Sequence, residues 1–70
     1  MKTRAEIEAA LDVLGWALID GPRQTSEGWR GTIARGSLLY STLAPREEQI
    51  LPDLLKRAEE YAQALARSSS

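Results

Sequence analysis

Seventy residues without one cysteine or histidine leave a chain few ways to hold itself together. No disulfide can form, and neither thiolate nor imidazole is there to bind a metal. A chain this short buries only about 60% of the surface its unfolded form exposes. Its stability margin is thin unless something staples it. Helix-on-sheet packing, or pairing with a second chain, must do that work. The expectation is one domain over residues 1–67 with a disordered tail at 68–70.

Local signals give the element order. Thr3 followed by Glu6 is a capping box, and Ile7, Ala10, Leu11 and Leu14 keep a helical repeat. Gly15 is placed to end that helix, predicted over residues 4–14, in a left-handed conformation. "WALID" (16–20) is read as a short strand, brief, apolar and closed by Gly21-Pro22, a turn signal. Residues 21–28 are polar and aperiodic, so a mobile loop or a wide hairpin connection is expected there. "WRGTIA" and "SLLYSTL" are rich in the types that fill pleated surfaces, and Gly36 between them can supply the positive φ of a tight turn. Pro45 suits a first helical position. Pro52 either kinks one long helix or divides a short turn (45–50) from a main helix (52–67). Leu51, Leu54, Ala58, Tyr61 and Leu65, widened by Leu55 and Ala62, form one amphipathic stripe. The sum is an α+β fold of order α-β-β-β-α: a three-stranded antiparallel sheet with two helices packed on one face. The other sheet face would meet water or a partner.

Most chemistry lacks its residues. Without imidazole there is no Ser-His nucleophile, and a Ser-Lys pair would need Lys2 or Lys56, neither in a recognisable motif. Glu47–Glu48 and Glu59–Glu60 are adjacent on a helix, so their side chains diverge by about 100°. The plainer reading is a solvated helix face with Asp53–Arg57 and Lys56–Glu60 pairs. The carboxylates show no calcium-loop spacing. Gly31, Gly36 and Ser37 mimic a phosphate loop, but its lysine is missing and two strands occupy its place. The expectation is a non-enzyme with no cofactor and no metal. The longest apolar run, "VLGWALI", is too short to span a bilayer. Glu6, Glu8 and Asp12 do not suit a targeting peptide, which leaves the cytoplasm as the expected location and no membrane partner.

The net charge of −1 hides a basic middle. Residues 21–46 carry Arg23, Arg30, Arg35 and Arg46 against Glu27, a net +3, while the flanking segments are each −2. Alternation along the second strand sets Trp29, Gly31 and Ile33 on one side and Arg30, Thr32 and Ala34 on the other. Trp29, Ile33 and Trp16 are expected in the core. On the third strand both alternating sets contain apolar residues; Leu39 and Leu43 are taken inward and Tyr40 outward. The candidate contact patch is then Arg30, Thr32 and Tyr40, with Leu38 beside them and Arg23, Arg35 and Arg46 at the rim.

Arginine and tyrosine are enriched at protein interfaces, and they also bind phosphate and stack on bases. The mildly acidic balance and the absence of lysine near the patch favour a protein partner. The leading expectation is therefore a small interaction domain, a regulator, adaptor or inhibitor. The alternative is a nucleic-acid binder using the same face. A third is self-association, a homodimer through the stripe of the C-terminal helix. A solvated face without any partner is the plain alternative to all three. The order α-β-β-β-α resembles that of double-stranded RNA-binding domains, although "PREEQ" is acidic where those carry basic signatures. "GWRGTI…STLAPREE…AEEYA" is similar, over about half the chain, to the three-strand-plus-helix DNA-binding modules at the N-termini of phage-type integrases. Both likenesses imply nucleic acid as the ligand; they rest on plan and common residue types and assign no family.

Overall fold

A computed structural model of the chain describes residues 3–68. Lys2, and the last two residues of the expected tail, lie outside the described residues. The elements are α1 (Arg4–Val13), β1 (Ala17–Thr25), β2 (Gly28–Arg35), β3 (Leu38–Ala44), a 3₁₀ turn at Glu47–Gln49 and α2 (Ile50–Ser68). The order is α-β-β-β-α, and the sheet is an antiparallel meander, β1-β2-β3.

The ends of α1 follow from its sequence. Thr3 is the N-cap, and its hydroxyl accepts from the Glu6 N–H at 3.2 Å. At the other end Gly15 takes φ +86. Its N–H donates to the Asp12 carbonyl, and the Trp16 N–H reaches back to the Leu11 carbonyl. These two bonds make a Schellman close, and the buried Leu11 and Trp16 are its apolar pair. Trp16 thus belongs to the turn and the core, and β1 starts one residue later.

Most of the expected loop at 21–28 is strand instead, and only Ser26-Glu27 turn. β1 runs through Gly21-Pro22 and ends at Thr25, with register shifts between Leu18 and Asp20 and between Asp20 and Arg23. Bulges on an edge strand absorb a proline that cannot donate to the ladder. A two-residue turn, Ser26-Glu27, then closes the first hairpin; the Thr25 hydroxyl accepts from the Glu27 N–H and donates to the Gly28 carbonyl at 2.8 Å. The second hairpin turns at Gly36-Ser37, with Gly36 at φ +62 as expected.

Both helices feed one core on one face of the sheet: Ile7 and Leu11 from α1, Trp16, Ile33 from β2, and Ile50, Leu51, Leu54, Leu55 and Ala58 from α2. Trp29 and Tyr61 pack against it half-buried. The stripe on α2 is therefore occupied within the chain, and only its distal Leu65 is exposed. That leaves the helix little apolar surface for a dimer seam. Pro45 precedes the 3₁₀ turn, not a first helical position, and Pro52 sits in the first turn of α2, where no hydrogen bond to its nitrogen is missed. Ser68 is helical, its hydroxyl donating to the Leu65 carbonyl.

Candidate interaction face

The register fixes which side chains share the open face. Across β2 and β3, Arg30 lies opposite Leu43, Thr32 opposite Ser41 and Ala34 opposite Leu39. Across β1 and β2, Arg23 lies opposite Arg30 and Asp20 opposite Thr32. Leu39 is 69% exposed and Leu43 51% exposed. Ile19, at the first register shift, is exposed as well. The hydroxyls of Thr32 and Ser41 bond each other at 2.9 Å in the middle of this face.

The inward assignment of Leu39 and Leu43 is overturned. Tyr40 and Thr42 face the core instead, opposite Ile33 and Gly31. The reason lies on α2. The Thr42 hydroxyl donates to the Asp53 carboxylate, so a buried threonine is satisfied. Tyr40 packs on the core with the Arg57 guanidinium 5.8 Å from its ring centroid. Gly31, directly across from Thr42, leaves room for the helix: a Cβ there would stand 2.5 Å from Ile50 Cγ2. Asp53 thus bonds Thr42, and on this stretch of the helix Arg57 pairs with Glu60 at 3.5 Å rather than in the expected i,i+4 pairs.

Two of the four candidate arginines are elsewhere. Arg35 shares the inner parity with Ile33, at the hairpin end. Its guanidinium stands 5.5 Å from the Tyr61 ring centroid and beside Gly15. Tyr61 in turn meets Trp16 edge-on at 5.7 Å. Arg35 therefore ties the end of β2 to the turn after α1 and to α2. Arg46 lies beyond β3, caps the 3₁₀ turn and sits 3.9 Å from Glu48. Of the named residues, the open face keeps Arg23, Arg30 and Thr32; Leu38, of inner parity at the hairpin end, is off it.

The charges on that face are uneven. Arg23 and Arg30 oppose one another across the strands, an unfavourable pairing. Asp20 compensates Arg23 at 3.3 Å. Arg30 has no ion-pair partner among the described residues. A single uncompensated guanidinium therefore sits between Leu43 and Arg23.

Sequence reasoning did not find a second feature, an open groove of about 830 Å³ between α1, the Pro22 bend of β1 and the start of α2. Ile7, Leu51, Leu55, Pro22 and Pro52 give it apolar walls, and Arg4, Lys56, Glu47 and Glu48 line it with both signs of charge. Its only signal in the sequence is the pair of prolines, distant along the chain, that meet there. Among the described residues no group of three or more His, Cys, Asp or Glu is placed to hold a metal, and no helix is long and apolar enough to cross a membrane. No protein-family model matches the chain, and neither a curated protein nor a solved structure matches it.

Proposed function

We propose that the chain is a non-enzymatic protein-binding domain, acting as an adaptor, regulator or inhibitor, and that the open sheet face is its contact surface. One observation carries the reading: Arg30 stands uncompensated on the open face, opposed by Arg23 and flanked by the exposed Leu43 and, further along β3, Leu39. The partner this fits is a protein surface with an acidic side chain for Arg30 and apolar groups for the leucines. A carboxylate there would accept the fork of the guanidinium and relieve the Arg23–Arg30 repulsion. Arg and exposed apolar side chains at the centre of a patch are what interface hot spots are made of. The nucleic-acid reading is served less well. Only two arginines lie on the face, Asp20 engages one of them, and backbone binding wants several phosphate contacts.

The test is capture by the immobilised chain, compared with Arg30→Glu, with Leu39→Ser/Leu43→Ser, and with Arg46→Glu as an off-face control. Supporting the reading are protein partners retained by the chain and the control and lost by both face variants. Partners retained equally by all four would sink it. A parallel titration with short DNA and RNA, read by tryptophan fluorescence at low and physiological salt, decides the alternative. Tight binding that falls steeply with salt moves the assignment to nucleic acid.

A further inference from the structure

The two edges of the sheet are built differently. β1 carries two register shifts, and Gly21-Pro22 falls in the second. Proline offers no N–H to a further strand, and Asp20 and Arg23 add charge beside it. Such devices blunt an edge. β3 has none of them. Its seven residues, LLYSTLA, include no charge, proline or glycine, and they pair with β2 in unbroken register from Leu38 to Ala44. No strand lies on its other side among the described residues. An edge of this kind is a template for another strand.

The residues of β3 specify which strand fits. About Ser41 the outward leucines are symmetric, Leu39 and Leu43 each two steps away, with Tyr40 and Thr42 at the intervening steps. Antiparallel pairing of β3 with a second copy, centred on Ser41, sets Leu39 opposite Leu43 of the second copy, and the reverse. Neighbouring registers centred on Tyr40 or Thr42 would set leucine opposite serine. In the same register Tyr40 falls opposite Thr42 of the second copy. Above these residues, α2 places Asp53 on Thr42 and Arg57 over Tyr40. Asp53 of one copy is thus brought to the side of Arg57 of the other, and the two-fold axis makes that contact twice. One register satisfies both the leucines of the outer face and the charges of the helix flank.

We propose that this chain forms a two-fold homodimer through β3, with Ser41 on the axis, a continuous six-stranded sheet and a shared outer patch of four leucines. The backbone edge of β3 makes the dimer, and its four leucines lie on the open face proposed above for the partner. Self-association of the purified chain is read without any partner, so either proposal can fail while the other stands.

Sedimentation equilibrium of the unaltered chain tests it first, and a monomer–dimer equilibrium is expected. Arg57→Glu puts like charges together at both symmetric contacts and should weaken the dimer about tenfold. Because the chain has no cysteine, Ser41→Cys gives a clean third readout. Directly opposed Cβ atoms in a ladder lie about 4.5–5.5 Å apart, near the reach of a disulfide. Mild oxidation should therefore cross-link Ser41→Cys, but not Val13→Cys, which is 85% exposed on α1. A chain monomeric up to about 1 mM overturns the proposal. So does a dimer indifferent to Arg57→Glu, or one that cross-links equally through Val13→Cys.

Discussion

The two faces of β3 are held by different means. Its inner side chains are fixed by α2: Thr42 by the Asp53 carboxylate, Tyr40 by the core and Arg57. Its outer side chains touch their neighbours on the sheet and nothing above, so Leu39 and Leu43 stay in water while a threonine is buried. Hydrophobicity alone would have turned this strand over. The lesson is that an edge strand's orientation is set by what its polar residues can bond, because burying an unpaired carboxylate or hydroxyl is costly. Leaving two leucines exposed is the milder penalty, and it leaves a surface able to bind.

Substitutions on the two faces should separate cleanly in urea unfolding. Ile33, fully buried at the centre of the inner face, should show the largest effect: Ile33→Ala is expected to cost about 2–5 kcal/mol. That is comparable with the whole stability of a domain this size, so a largely unfolded variant is an acceptable outcome. Gly31→Ala crowds Ile50 and Leu54 and should cost about 1–3 kcal/mol. Thr42→Val keeps the shape of the side chain but strands the half-buried Asp53, for a similar ~1–3 kcal/mol. The restoring double variant Thr42→Val/Asp53→Leu should recover part of the loss. No recovery would mean the pair does not set the strand's orientation. Arg35→Gln removes the cation over Tyr61 and should cost about 0.5–1 kcal/mol. Leu39→Ser and Leu43→Ser should each change stability by no more than about 0.5 kcal/mol. An outer leucine as costly to replace as Ile33 would break the comparison.

How far the chain could be read beforehand follows the range of the forces involved. The ends of α1, the Gly36 turn, the strand order and the inward Ile33 depend on neighbours within a few residues, and Thr3, Gly15 and the β2 alternation carried them openly. Gly21-Pro22 misled because a turn dipeptide and an edge bulge look alike until the strand beside them is known. The face of β3 was hidden because its two alternating sets are both apolar enough, and the choice rests with Asp53 and Arg57 on α2. The candidate patch inherited that ambiguity. Alternation along β2 puts Arg30 and Thr32 on the open side. Arg23, expected at the rim in a loop, reaches that face only because β1 extends past Pro22, Tyr40 follows the inverted strand, and Arg35 is drawn in by Tyr61, 26 residues further along the chain.

The meander has a kinetic consequence. Each strand meets its neighbour through a two-residue turn, so both hairpins close with little loss of chain entropy. The contact between α1 and α2 joins the two ends of the chain and carries the greatest closure penalty. The sheet with α2 is then the natural nucleus, and α1 docks late. Ile7→Ala should therefore quicken unfolding while leaving the folding rate nearly unchanged, whereas Ile33→Ala should slow folding itself.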